Sequence, residues 1–494
     1  MTTATPKEQQ ATGPAAVWDS RHRRLTAGLL LTISLTAFEA LAVATVLPAA
    51  SADLGGAATL AWYGWVFSGF MLANLVGIPA AGVLAARGGT AVSFAAGVLL
   101  FVAGLVAAGL AGSMPALVAG RVAQGLGAGA LSSVAYVAVA GAYPPAAQPR
   151  MLALLSSAWV LPGLLGPAVA ALLAEQAGWR SVFLLLAPAS VAAGWLALGG
   201  LRVLRAPASA GSVSAPLGRA LRLAAGTALV LFSSEAGHLG VRALGATAGA
   251  ALALPALAGL LPPGTLRAAP GAPAALAVKF LVTAAFFGAE TLLPLALVAV
   301  RGQSVAAAGA VLTAGTLAWT GGAWLQERLV QRVDRVHLAR AGLAMVATAI
   351  VGAACVLSTT APLAVAAASW AAAGLGIGVA YSTTTLAVLD GVAGGAGQRG
   401  DGERDGETDA RGDEIGSGEA ASALQLVNVL GVAVGAGTAG AILSGLRGPL
   451  GSEASAIVAG DTFLLGVALL GFALAGRLGA GRASDLDPAP GATP

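Results

Sequence analysis

Apolar runs of roughly 18–25 residues follow one another along nearly the whole chain, each long enough to cross a bilayer as a helix. Few other features restrict a fold so severely. Only 10% of the 494 residues are charged, 57% are hydrophobic, and the mean hydropathy is +0.84. A soluble protein of this length would carry about 25% charged residues. The chain therefore reads as an all-α polytopic membrane protein with about fourteen spans. Six fill roughly 25–203, two weaker ones cover about 219–235 and 239–261, and six more run from about 273 to 480. A twelve-span chain with an amphipathic or re-entrant middle segment is the alternative. The expected division is a tail at 1–24, a six-helix bundle at 25–203, an inserted helix pair with linkers at 204–270, a second six-helix bundle at 271–480 and a disordered tail at 481–494.

The first run follows "RHRRL" (21–25), which looks like the basic start of a signal peptide. The apolar stretch from Thr26 to Ala50 is too long for one, so it reads as an uncleaved first span. Arginines fix the expected orientation by the excess of positive charge in cytoplasmic loops. Arg87, Arg150, Arg202, Arg219, Arg222, Arg267, Arg328 and Arg335 fall in connections on the side of the N-terminus, and few fall on the other. Both termini are then cytoplasmic, in the plasma (inner) membrane. The stretch 390–418, glycine-rich and dense in both charge signs, cannot bury apolar area and reads as a disordered cytoplasmic loop. The net charge of +4 is scattered, with no basic patch for nucleic acid. Three histidines and one cysteine, Cys355, give no metal-ligand cluster and no disulfide. No nucleophile–base pairing points to an enzyme, and no cofactor is expected.

The two halves resemble each other. "GLGAGALSSVAYVAV" (125–139) is echoed by "GLGIGVAYSTTTLAV" (374–388), each in the fourth span of its half and each with glycine at three alternate positions. Both halves start on the same side, so the pseudo-symmetry is parallel. Each half also places an acid in its first span, Glu39 and Glu290, with Pro48 and Pro294 downstream. Lys279 precedes Glu290 by eleven residues, which at 100° per residue returns to nearly the same helix face and makes it a candidate partner. Arg121 is a lone cation in the fourth span. A carboxylate at mid-bilayer costs at least ~2.5–3.5 kcal/mol on insertion scales. It can stay protonated, pair with a base or face a watered cavity. An acid that alternates between a proton and a substrate would use such a place. The plainer reading of Glu39 is a helix–helix hydrogen bond, that of Glu290 a structural ion pair with Lys279, and that of Arg121 a contact to helix-end carbonyls.

These motifs resemble the major facilitator superfamily, and within it the fourteen-span drug–proton antiporters. "FEALAVATVLPAASADLG" (38–55) is similar to their first-span signature. "GVLAARGGTA" (82–91) keeps Gly82 and Arg87 of the loop between spans two and three but has Ala86, Thr90 and Ala91 where an acid and two basic residues are usual. "RVAQGLGAGA" (121–130) matches the fourth-span motif through Arg121, Gln124, Gly125 and Gly127. "PGLLGPAVAA" (162–171) resembles the antiporter motif through Gly163, Gly166 and Pro167, with Pro162 at the leading glycine. "GWRSVF" (178–183) fits the junction of spans five and six, and "EAASALQLVNVLGVAVGAG" (419–437) the penultimate span, with Asn428 where arginine is more usual.

The resemblance implies the major facilitator fold: two six-helix bundles plus an inserted pair. It further implies a monomer that exchanges protons for amphipathic small molecules, cationic ones included, by alternating access. It gives Glu39, Glu290 and Arg121 the proton and substrate roles, with Lys279, Gln124 and Asn428 as possible partners. The glycines and prolines of spans two, four and five would let helices approach and bend. Two rivals are a lipid or glycolipid exporter, and a receptor or assembly factor on a transporter scaffold.

Overall fold

The computed structural model describes the chain outside residues 1–16, 21, 56–60, 145–146, 203–213, 235, 237, 358–360, 400–408 and 480–494. Most of the expected N-terminal tail and the C-terminal tail at 481–494 thus lie outside the described residues. Among the described residues there is no strand. The helices are α1 Arg23–Asp53, α2 Tyr63–Gly88, α3 Thr90–Gly109, α4 Met114–Ala142, α5 Gln148–Ser157, α6 Val160–Ala177 and α7 Arg180–Leu201. Then come α8 Ser214–Ser234, α9 Leu239–Ala258, α10 Ala272–Leu295, α11 Val305–Leu329, α12 Arg335–Cys355, α13 Leu363–Arg399, α14 Asp409–Leu450 and α15 Glu453–Leu474.

Side-chain oxygens start several of these helices by accepting a first-turn N–H. Ser113 does so for α4, Ser304 for α11, Asp334 for α12 and Ser452 for α15. Prolines lie inside α1, α2, α6, α7, α9 and α10. After Pro294 the last turn of α10 widens into a π-helix at Ala296–Val300, a local loosening that a missing N–H favours.

Helices α1–α4, α6 and α7 pack among themselves, and α10–α15 do likewise. The glycine repeat is the device inside each set. A methyl on Gly125 would stand 2.1 Å from Phe70 O, and one on Gly129 2.3 Å from Asn74 O, so this face of α4 lies directly on α2. A methyl on Gly374 would stand 1.9 Å from Gly315 O and one on Gly378 2.3 Å from Trp319 O, which lays α13 on α11 at the same four-residue step. The middle glycines turn to a third helix. Gly127 meets Gly97 and Phe101 of α3, and Gly376 meets Gly342 and Val346 of α12. The two halves therefore reuse one packing pattern, in which small residues let backbones touch where lipid offers no hydrophobic drive.

The sets meet along two seams. In one, α2 lies on α14: Gly64 faces Ala436 and Gly440, and Ser68 Oγ donates to Ala433 O at 2.7 Å. In the other, α6 lies on α11: Gly163 faces Thr316, and Gly309 faces Pro167 O. The closest contacts lie toward the end that holds Leu54, Gly178, Gly302 and Gly451. There Glu175 of α6 accepts the backbone N–H of Ala306, in the first turn of α11, at 2.8 Å. A carboxylate on a helix N-terminus is worth about 0.3–1 kcal/mol at an exposed site. Glu175→Ala is expected to open this end roughly two- to fivefold more often. Spin labels flanking the α6–α11 seam, in a background lacking Cys355, would read that as a longer-distance population.

The inserted pair covers the first seam only. Helix α8 packs on α9 and on both α2 and α14; Leu231 sits against Gly437, and Phe232 meets Trp65 edge-on at 6.4 Å. Among the described residues, twelve helices are long and apolar enough to cross a membrane. The fourteen-span count differs at two places. Helix α6 is only 18 residues long, at the lower limit for crossing a bilayer, because the helix is interrupted at Ala158–Trp159 before it. Helix α8 has the length, 21 residues, but Arg219 and Arg222 lower its hydropathy. Of the charged stretch 390–418, expected to be disordered, residues 400–408 lie outside the described residues; the backbone is helical up to Arg399 and again from Asp409. Extending a helix already anchored in the bundle requires only one more residue fixed per hydrogen bond, which glycine and charge do not prevent.

Candidate functional site

Glu39 lies midway along α1 and is fully buried, as are Arg121 and Gln124 of α4. Arg121 Nη1 donates to Glu39 Oε1, forming a buried ion pair. The same nitrogen reaches Gln124 Oε1 at 2.7 Å, Nε donates to Val66 O at 3.1 Å, and the guanidinium lies 4.1 Å above the Phe70 ring. The fit follows from local rules. Arg121 and Gln124 are three apart and share a helix face. Gly125, one residue on, brings α2 close enough for its carbonyl and ring to reach the guanidinium. The plain reading of Arg121, a helix-end cation, does not describe it: the group is interior. Two buried atoms of this cluster, Glu39 Oε2 and Gln124 Nε2, have no hydrogen-bond partner among the described residues. The pair thus leaves one carboxylate oxygen open to a proton or a donor.

The second acid is placed differently. Glu290 is half-buried on α10 and makes no hydrogen bond or ion pair with a described residue. Lys279, fully buried, does not pair with it. Its Nζ donates to Thr385 Oγ1 at 2.7 Å and lies 3.0 Å above the ring of Tyr381, both on α13. The sharing of a face was correctly counted, but eleven residues amount to about 16 Å along the axis, far beyond an ion pair. Between the two charges stands an aromatic wall. Phe286 meets Trp319 at 5.4 Å and stacks on Trp370 at 4.9 Å, Phe287 meets Trp319 at 6.0 Å, and Trp319 meets Tyr381 at 5.7 Å.

The remaining expected residues take supporting places. Asn428 is half-buried on α14 with no hydrogen bond to any of these charges. Gly82 is half-buried and Arg87 exposed at the far end of α2. Pro162, Gly163, Gly166 and Pro167 are buried on α6, where Gly163 and Pro167 form the α11 seam and Gly166 faces Phe38 and Leu41 of α1. Asp461 of α15 escaped the sequence reading. It is 5% exposed, lacks a hydrogen bond or ion pair with any described residue, and lies between Gly460, which meets Leu292, and Leu464, which meets Gly288. An acid inside the apolar run from Ala454 to Ala475 was the available signal.

The family profile described as Major Facilitator Superfamily matches residues 29–400. A probable multidrug-efflux transporter of Mycobacterium tuberculosis is 25% identical over 427 residues, covering 82% of this chain and 84% of its own. Multidrug resistance protein 3 of Bacillus subtilis is 27% identical over 161 residues, and the match spans only 33% of this chain and 31% of that protein. Among solved structures, a mutant of the peptide transporter POT in complex with sulfate superposes with a TM-score of 0.63 at 17% identity over 97% of this chain and 99% of its own.

Proposed function

The chain belongs to the major facilitator superfamily, and from that premise we propose that it exports amphipathic small molecules, cationic ones included, in exchange for protons. The observation that supports this reading is the Glu39–Arg121 pair with its open carboxylate oxygen. A proton arriving at Glu39 neutralises the acid and removes the reason for Arg121 to stay with it. Leaving, it restores the pair. The acid therefore has two settled states, which is what a carrier needs. The relatives named for multidrug efflux support export of small molecules as the direction of transport. The arginine-rich connections favour cytoplasmic termini in the plasma membrane.

In this reading the halves rock about the α2–α14 and α6–α11 seams, with Glu39 in one half and Glu290 in the other offered to the path between them. For a neutral molecule exchanged for one proton, the membrane potential supplies ~2.3 kcal/mol per 100 mV, enough for roughly tens-fold accumulation; a monovalent cation exchanged for one proton moves no net charge and is driven by the pH gradient alone. The test is transport of a cationic dye by purified protein in liposomes under an imposed pH gradient. Wild type is expected to move dye with the gradient, and Glu39→Gln to lose gradient-driven movement while still binding dye. Gradient-driven transport at the wild-type rate in Glu39→Gln would remove the acid from the mechanism.

A further inference from the structure

We propose that Lys279 is a specificity-determining residue that receives an anionic group of the substrate, so that the chain favours aromatic molecules carrying a carboxylate besides an amine over plain cations. The assignment rests on the exporter reading above and narrows its substrate class.

The buried charges differ in how they are balanced. Arg121 has a carboxylate; Lys279 has none within ion-pair distance among the described residues. An ammonium offers three N–H donors. At Lys279 one goes to the Thr385 hydroxyl and the aromatic face of Tyr381 takes a second direction. Nothing described accepts the third. A neutral hydroxyl and a ring face hold an ammonium less strongly than a charge-assisted bond to an anion would. A cation buried at membrane depth without a counter-charge calls for one. Asp461, the other unpaired acid, belongs to α15, whose contacts reach α10 through Leu281, Gly288 and Leu292. At 100° per residue those positions lie roughly opposite Lys279 on the helix. Glu290 is about 16 Å further along. The counter-charge is thus not built into the protein, and the substrate can bring it.

The order along one face of α10 sets the rest of the molecule. Lys279 comes first, Phe286 and Phe287 follow with Trp319 and Tyr381 against them, and Glu290 ends the row. An anion at one end, an aromatic body and an amine at the other end would match each in turn. In this conformation Lys279 is 1% exposed while Tyr381 and Thr385 are half-buried, so those two side chains are the cover an incoming anion displaces.

Rhodamine B and its ethyl ester form a matched pair: one carries a carboxylate beside its cationic ring, the other the same ring without the anion. Binding of both to the purified full-length chain is read by fluorescence polarisation. Wild type is expected to bind rhodamine B at least about tenfold more tightly than the ester. Lys279→Gln should weaken rhodamine B about tenfold and leave the ester within about twofold, and Lys279→Arg should keep the preference. Equal affinity for the two dyes in wild type, or equal weakening of both in Lys279→Gln, overturns the assignment. The wild-type comparison needs no variant to fold. Binding of the ester alone sinks this proposal and leaves the exporter reading standing; binding of neither dye counts against both.

Discussion

Arg121→Met is expected to cost about 3–5 kcal/mol of stability, because it strands the carboxylate of Glu39 in a dry site without its counter-charge. Glu39→Gln should cost less. The amide oxygen can still accept from Arg121, whose cation also keeps Gln124, the Val66 carbonyl and the Phe70 ring, whereas the carboxylate left by Arg121→Met keeps no described partner. The double variant Glu39→Gln/Arg121→Met should recover much of the loss of Arg121→Met, since it removes the charge that had been left alone. Unfolding in detergent, followed by circular dichroism against denaturant, would measure all four corners of the cycle. A coupling of about 2 kcal/mol or more marks an energetic pair. Simple additivity would mean that the two groups are neighbours without mutual dependence, and the two-state acid of the proposed mechanism would lose its basis. The cycle also separates folding from transport: Glu39→Gln should stay folded and fail at coupling, whereas Arg121→Met should fail at both.

What the sequence disclosed about this site follows from how each signal is encoded. Glu39 was legible because a mid-span acid is expensive wherever it points. Its partner was not. Arg121 is 82 residues away on another helix, and no local periodicity links them. Lys279 and Glu290 failed in the opposite way. A shared helix face was visible, but angle alone does not shorten an axial separation, and α13 supplied nearer partners for the lysine. The glycine repeat was readable as a repeat, while the carbonyls it presses against belong to α2 and α11 and needed the fold. Helix α8, expected as a weaker span at about 219–235, shows the limit of hydropathy: two arginines at one end weaken the signal of a helix whose remaining turns pack on both halves. Asp461 carried the same signal as Glu39 and was passed over because nothing like a motif surrounds it.

The repeat glycines and the seam glycines should respond differently to the same insult. Within one half, a methyl at Gly374 would stand 1.9 Å from Gly315 O, a backbone atom that cannot swing aside. Gly374→Leu is therefore expected to abolish folding. Gly374→Ala should cost about 1–3 kcal/mol from overpacking, more than the roughly 1 kcal/mol that alanine gains over glycine in a helix. Gly466 on α15 has open space around it, so Gly466→Ala should show that gain alone. Between the halves, a methyl on Gly64 would stand 2.6 Å from Ala436 O, yet here the two backbones belong to separately packed sets. Gly64→Leu should accordingly leave each half folded and wedge the α2–α14 seam apart at that end. The expected result is a monodisperse protein with near-normal unfolding, labelled by thiol reagents at cysteines placed along the opened seam, and unable to complete a transport cycle. Transport at the wild-type rate with Gly64→Leu would mean that this seam never has to close. An aggregated Gly64→Leu would mean that the seam is part of one continuous core, and the rocking of two halves would lose its structural basis.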